Sequence, residues 1–268
     1  MKKQIPYVTY GVGILCILVY GMQWIFNSAD TSNGMILFGA YYKPFILAGE
    51  YWRFLTVGFV HANIWHLLMN MMSLYALGRA LEPIMKRWKY MVLLLGSTVG
   101  SAVFLFVVQG NVLAVGISGG LYGLMTTYFI LLYRTGGLKD SRIRRIMIST
   151  LVMNLLINFM PGVSWVAHLG GTIAGFFLTE MLLPEVNGKR KQKDYAVAGM
   201  VLVIALGYFG YQNAYIPSSQ AYLYTDYMVL SEEAKYVPGS YIQGMAKRLD
   251  AIYHTNMILQ DAVTNKGA

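Results

Sequence analysis

The residues best suited to covalent chemistry are a serine and a histidine, each set among glycines. Ser118 lies in the run Gly116-Ile117-Ser118-Gly119-Gly120, and His168 is followed closely by Gly170 and Gly171. A serine hydroxyl is a weak nucleophile until a base such as histidine takes its proton, so the two side chains must come within hydrogen-bond distance. The pair therefore indicates attack on a carbonyl carbon, provided that the fold brings the two together.

Three more polar side chains could support that chemistry. Attack on a carbonyl creates an oxyanion, which needs hydrogen-bond donors. His66 and Asn70 are four residues apart and so share a helix face; with the backbone N–H of Ser118 they are the predicted donors. Tyr122, one helical turn after Ser118, is predicted to stack on His168 and fix its ring.

No acidic side chain is expected near Ser118 and His168. Glu82 and Glu180 fall at the cytoplasmic ends of their predicted helices, so we expect a Ser–His dyad whose ring is oriented by packing rather than by a third acid. The H-E-x-x-H motif of zinc proteases is missing, and no metal site is predicted. No apolar segment holds the two buried aspartates that an intramembrane aspartyl protease needs.

Long apolar segments carry these residues. Of the 268 residues, 56% are hydrophobic and 12% are charged, whereas soluble domains average about 25% charged residues. Because charge is costly in hydrocarbon, the composition predicts an all-α polytopic membrane bundle. Spanning helices of roughly 20 residues are predicted near 7–27, 64–81, 88–108, 113–133, 143–161, 165–183 and 195–215.

Basic residues mark alternate connections between these segments. They precede the first segment and crowd the second, fourth and sixth connections, whereas connections 109–112 and 162–164 carry no charge. Cytoplasmic connections are enriched in Lys and Arg. The N-terminus is therefore predicted to be cytoplasmic and the C-terminal tail to lie outside. The net charge of +9 is interpreted as a topology signal, and no nucleic-acid partner is predicted.

This orientation places the polar residues of three segments at one level. The second, fourth and sixth segments run inward from the outer surface, and His66, Ser118 and His168 lie near their outer ends. With the fourth segment starting near Leu113, Ser118 is expected about five residues, or roughly 7–8 Å, below the helix start.

Glycine pairs should allow the fourth and sixth segments to touch. Gly119 and Gly123 have the small-xxx-small spacing, and so do Gly171 and Gly175. Small residues at this spacing let helix backbones approach closely in lipid. We therefore expect Ser118 to reach hydrogen-bond distance of the base.

The chain divides into four predicted parts. Residues 1–185 form a six-helix core, within which 28–63 is an aromatic first loop at the outer interface. A basic cytoplasmic linker, 186–194, leads to a seventh spanning helix at 195–215. Residues 216–268 form a polar tail outside the membrane, with a helix expected after Pro238-Gly239.

In combination these motifs resemble the rhomboid family of intramembrane serine proteases, over roughly residues 50–180. The motifs that carry the resemblance are Trp52-Arg53, the series His61, His66 and Asn70, Leu81-Glu82 after Gly78, Gly116-Ile117-Ser118-Gly119 with Tyr122, and Ala167-His168-Leu169-Gly170-Gly171 with Gly175. In the family the Trp-Arg pair belongs to the structure of the first loop. The seventh segment is similar to the six-plus-one arrangement of some rhomboids.

The resemblance implies a role for each matching residue. Ser118 would be the nucleophile and His168 the base, His66 and Asn70 would assist the oxyanion, and Tyr122 would pack on the base. It further implies hydrolysis of transmembrane segments of other proteins near the outer face, in a multi-pass protein of the bacterial plasma membrane, without a cofactor.

Two other functions stay open. An inactive rhomboid-like protein that binds membrane clients would be expected to lack the serine or the histidine, and both are present. A transporter would need a continuous polar path, and the inner halves of the segments around Ser118 are apolar. The sequence does not specify the oligomeric state.

Overall fold

The structure, a computed structural model, describes residues 5–26, 31–109, 112–183, 190–212 and 220–258. Lys2, Lys3 and the first part of the predicted linker lie outside these ranges. The described elements are α1 (Tyr7–Ile25), α2 (Ser32–Leu37), β1 (Tyr41–Tyr42), α3 (Lys43–Leu47), α4 (Arg53–Thr56), α5 (Ile64–Leu81), α6 (Arg87–Val108), β2 (Leu113–Ala114), α7 (Ser118–Arg134), α8 (Ser141–Ile157), α9 (Trp165–Leu182), α10 (Arg190–Gln212), α11 (Gln220–Glu233) and α12 (Gly239–Tyr253), with short 3-10 turns at Glu82–Ile84 and Gly137–Lys139.

Two of the described helices are both long and apolar enough to cross a bilayer, α1 with 19 residues and α6 with 22. Helices α5 and α9 have 18 residues each, and both contain polar and charged side chains: His66, Asn70 and Arg79 in α5, and His168 and Glu180 in α9. Helices α7 and α8 have 17 residues each, close to the lower limit of about 17 for a spanning helix. For all seven predicted segments, crossing the membrane stays a prediction.

Glycines let α7 and α9 pack backbone to backbone. A Cβ atom added to Gly171 would lie 2.0 Å from the carbonyl oxygen of Gly119, and one added to Gly175 would lie 2.4 Å from the Cα atom of Gly123. The contact partner on α7 advances by four residues as α9 advances by four, so the two helices run parallel. No side chain fits at this contact, which we call the glycine seam.

Helix α6 packs against both helices and runs in the opposite direction. A Cβ atom on Gly119 would lie 2.3 Å from Ser101 Oγ, and one on Gly123 would lie 2.1 Å from Ser97 Oγ. Ser101 Oγ also donates to the carbonyl oxygen of Ala167 in α9 at 2.6 Å. This alternation of direction is the one that successive spanning segments require.

A buried carboxylate joins α1 to α5. Glu82, directly after α5, is 2% exposed and accepts hydrogen bonds from the backbone N–H groups of Val8 and Thr9, both at 2.9 Å, in the first turn of α1. Negative charge is stabilising at a helix N-terminus. Glu82 therefore fixes the first helix to the end of the second predicted segment.

The first loop pairs with the segment that leads into α7. Strand β1 runs antiparallel to β2, with Tyr41 opposite Ala114 and Tyr42 opposite Leu113, and the Gly116 N–H donates to the carbonyl of Val57 at 2.8 Å. The prediction of a continuous helix from residue 113 is therefore wrong in its first turn, because pairing holds this stretch extended. Apart from this strand pair, the regular structure of the described residues is helical, as predicted.

The tail packs against the first loop. Apolar side chains of both segments form one buried cluster that includes Tyr42, Phe45, Leu230 and Met245. Helix α12 begins directly after Pro238, as the sequence predicted, whereas α11 was not predicted. Because they share this cluster, the loop and the tail would lie on the same side of a membrane.

Candidate active site

Ser118 and His168 meet at one end of the glycine seam. The Nε2 atom of His168 lies 2.9 Å from Ser118 Oγ, and the His168 side chain is almost fully buried, with 6% of the residue exposed. Ser118 is the first residue of α7, so the placement of Ser118 more than one turn inside the helix is wrong. The first N–H groups of a helix have no partner within the helix, so the serine stands beside unused backbone donors.

The other ring nitrogen of His168 is held by Asn158. Asn158 Oδ1 lies 2.5 Å from His168 Nδ1, and its amide nitrogen donates to the Tyr122 hydroxyl at 3.3 Å. Because an amide oxygen can only accept, Nδ1 carries the proton, and Nε2 is left to accept from the serine. The ring is thus oriented by a hydrogen bond, which the expectation of packing alone did not include.

The Tyr122 ring lies flat against the His168 ring. The ring centroids are 4.1 Å apart and the planes differ by 12°, the stacked arrangement that the sequence predicted. The Tyr122 hydroxyl donates to the backbone carbonyl of Asn154 at 3.2 Å. Tyr122 therefore ties α7 to the end of α8 while it limits rotation of the imidazole.

His66 and Asn70 face the backbone just before Ser118. Gly116 has a φ angle of +104°, and a Cβ atom there would lie 2.7 Å from His66 Nε2 and 3.2 Å from Asn70 Nδ2. Both the left-handed backbone and the lack of space require glycine at this position. Asn70 is 6% exposed, and among the described residues its Nδ2 has no acceptor. A buried donor without an acceptor is costly, so Asn70 is suited to an oxygen that arrives with a ligand.

Trp52 and Arg53 serve the first loop rather than the serine. Arg53 is fully buried, forms an ion pair with Glu50, and donates from Nη1 to the carbonyl oxygens of Ile36 and Ala40. Its guanidinium lies 4.6 Å from the centre of the Trp52 ring. The contacts of this pair therefore lie within the first loop and, through Glu233 at 3.8 Å from Arg53, with the tail.

Asn158 was missed by the sequence analysis. It lies directly after α8, ten residues before His168, in a segment that also contains Ser149, Thr150 and Asn154. A polar residue at a helix end is ordinarily a cap or a loop residue, so its type and position did not distinguish it. The one available signal was that the Nδ1 atom of His168 needs a hydrogen-bond acceptor. Asn158 is a polar residue close enough in sequence to supply one.

Loss of Asn158 should slow catalysis without unfolding the protein. For Asn158→Ala we expect about a ten-fold fall in kcat, because one net hydrogen bond is worth about 1–1.5 kcal/mol and 1.36 kcal/mol is ten-fold in rate. The measurement is turnover of a transmembrane substrate, with thermal unfolding followed in parallel. Asn154→Ala is the matched control, since only the backbone of that residue contacts Tyr122.

Asn158→Asp separates positioning from packing. It keeps an oxygen facing Nδ1, so it should restore most of the rate. If Asn158→Asp is as slow as Asn158→Ala, or if neither is slowed, Asn158 does not orient the base.

Helices that run parallel and antiparallel to one another enclose a polar cluster near one end, so Ser118 and His168 form a site inside the bundle. The chain belongs to the rhomboid family, because the Rhomboid domain matches residues 48–185, just over half of the chain. That range includes every predicted site residue. It ends before α10 and the tail helices.

Relatives with this name occur in distant organisms. The chain is 28% identical over 237 residues to Rhomboid protease GluP of Bacillus subtilis (strain 168), covering 86% of this chain and 45% of that protein. It is 32% identical over 149 residues to RHOMBOID-like protein 5 of Arabidopsis thaliana, covering 54% and 48%. It is 27% identical over 179 residues to Rhomboid-like protease 1 of Toxoplasma gondii, covering 65% and 61%. The chain therefore spans a little under half the length of the first two relatives.

Proposed function

We propose that the protein is an intramembrane serine endopeptidase that hydrolyses peptide bonds in or near transmembrane segments of other membrane proteins. The observation that carries this proposal is the 2.9 Å contact between His168 Nε2 and Ser118 Oγ. It is supported by the Asn158 contact to the opposite ring nitrogen. Two of the relatives described above also bear the name protease.

The chemistry follows from the direction of these hydrogen bonds. Ser118 Oγ attacks the scissile carbonyl carbon while its proton passes to His168 Nε2. The proton then goes to the leaving amine, and an acyl-serine remains. Water attacks that ester, His168 takes a proton from the water, and the serine is regenerated with release of the new carboxyl terminus.

The developing oxyanion would lie between α5 and the start of α7. The donors are the Ser118 backbone N–H, Asn70 Nδ2 and the His66 side chain. The close approach of the last two to Gly116 puts them beside the nucleophile. Fixed donors of this kind stabilise a charge that appears only in the transition state.

The membrane setting explains the class of substrate. A spanning helix satisfies its backbone hydrogen bonds internally, so the bond to be cut must first unwind near the outer end of the bundle. We infer an N-terminus in the cytoplasm and a tail outside, with a core of six spanning helices over residues 1–185 and an outer tail over 216–268. The predicted linker at 186–194 overlaps the start of α10 (Arg190–Gln212), so we assign α10 as the seventh spanning helix that was predicted over 195–215. The bacterial plasma membrane is the inferred location.

A catalytically inactive, client-binding protein is the second candidate. It would keep the bundle and the substrate contacts but would need no activated serine. The ordered contacts on both nitrogens of His168 favour the protease, because binding alone does not require them.

Labelling with a fluorophosphonate tests the proposal. The purified full chain should be labelled at one serine, and Ser118→Ala should lose the label, because only an activated hydroxyl attacks phosphorus at a useful rate. Ser149→Ala is the matched control, since Ser149 is an exposed serine of α8 whose hydroxyl donates to the Ile146 carbonyl. Persistent labelling of Ser118→Ala, or an unlabelled parent protein, would contradict the assignment.

A further inference from the structure

A cavity of about 400 Å³ lies between the end of α1, the first loop and the tail helices. We call it the loop–tail pocket. Its aromatic wall consists of Phe26, Phe38, Trp52, Tyr236 and Tyr241. The proposed active-site residues are not among the described residues that line it.

The pocket lies beside the exposed C-terminal end of α1. Phe26 ends α1 and meets Tyr236 of the tail edge to face, with ring centres 5.8 Å apart. Its neighbours Trp24 and Ile25 are 72% and 70% exposed, as expected for side chains in contact with a bilayer. A ligand could therefore reach the pocket from water or from the membrane surface.

The polar part of the wall is acidic. Glu50 and Glu233 line the pocket, and no basic side chain does so among the described residues. Glu233 is 8% exposed, and within the described part of the chain its Oε2 has no hydrogen-bond partner. A carboxylate oxygen that is buried at a cavity wall without a donor is suited to a positively charged ligand.

The buried charges around the pocket do not balance. Arg53 pairs with Glu50 and lies 3.8 Å from Glu233, so one arginine faces two carboxylates of the pocket wall. Asp226, which is fully buried, belongs to the same tail helix as Glu233. Burial raises the pKa of Asp226 to about 7 and, with repulsion from Glu50, raises the pKa of Glu233 to about 7. A cation bound in the pocket would favour the ionised form of Glu233.

We propose that the loop–tail pocket binds an organic ammonium group carried on a small apolar body, with Glu233 as counter-ion and the rings of Trp52 and Tyr236 around the cation. Aromatic faces attract ammonium groups, and the apolar wall suits methyl or methylene groups better than a hydrated metal ion. The described residues also hold no group of three His, Cys, Asp or Glu residues suited to a metal. The ammonium could belong to a lipid headgroup or to a soluble cation. The proposal does not depend on protease activity.

Choline and its neutral carbon isostere, 3,3-dimethyl-1-butanol, test the charge requirement. The full chain in phosphatidylglycerol nanodiscs would be titrated with each compound while tryptophan fluorescence is recorded, because Trp52 lines the pocket. We expect saturable binding of choline and at least ten-fold weaker binding of the isostere. Repeating the titration in nanodiscs that contain phosphatidylcholine separates the sources: competition identifies a lipid headgroup, and unchanged affinity identifies a soluble cation.

Two variants and one control locate the site. Glu233→Gln should weaken choline binding at least ten-fold, and Tyr236→Leu, at a position 58% exposed, should weaken it about two- to five-fold. Glu232→Gln should bind as the parent does, since that side chain is 42% exposed and pairs with Lys235. Absent choline binding, equal binding of the isostere, or full affinity in Glu233→Gln would each overturn the proposal.

Discussion

Ser118→Ala and His168→Ala are each expected to reduce cleavage of a transmembrane substrate by about 10⁴-fold or more, since a nucleophile and its base act as one unit. For the same reason the double variant should be no slower than Ser118→Ala alone. The measurement is the initial rate of product formation in reconstituted bilayers. Thermal unfolding of all three variants should match the parent, because neither side chain forms the glycine seam.

Two controls keep this result specific. Ser149→Ala removes an exposed serine of α8, and His254→Asn replaces a tail histidine with φ of +55° by a residue that tolerates that backbone. Both should cleave at the parent rate. If Ser118→Ala cleaves the substrate much faster than about 10⁻⁴ of the parent rate, another group is the nucleophile.

Asn70→Ala and His66→Ala should each lower kcat by about 10²–10³, the usual effect of removing one oxyanion donor. KM should change little, because these donors act on a charge that the bound substrate does not yet carry. Both variants should therefore keep more activity than the serine and histidine variants, when the same substrate and bilayer are used.

Met69→Ala is the matched control for these two. Met69 lies between them on α5 and is 56% exposed, so it should leave both constants unchanged. Parent-level kcat in both Asn70→Ala and His66→Ala would remove α5 from the proposed chemistry. A rise in KM alone would make the two residues substrate contacts instead.

The bounds of several helices followed from the sequence because apolar length and polar interruptions are local properties. Helix α5 begins and ends where predicted, and α1 and α6 differ by only one or two residues. The common depth of Ser118, His168, His66 and Asn70 in the bundle could be predicted from the sequence for a related reason. Charge alternation fixes the direction of each segment, and direction converts sequence position into depth.

The extended conformation of the residues before Ser118 could not be predicted from the sequence. Residues 113–115 are apolar and contain no proline, so nothing local distinguishes them from the start of a helix. What holds them extended is β1, from a distant part of the chain. The contact of Arg53 with Glu233 was hidden for the same reason, because Glu233 belongs to a helix that the polar tail did not suggest.

The glycine seam also has a consequence for biosynthesis. Chains emerge from the ribosome N-terminus first, so α7 and Ser118 are made before α9 brings His168 into place. Until the last helix of the core docks against Gly119 and Gly123, the serine has no histidine beside it. Under the proposed mechanism the nascent chain is therefore unable to hydrolyse neighbouring proteins before the core is complete.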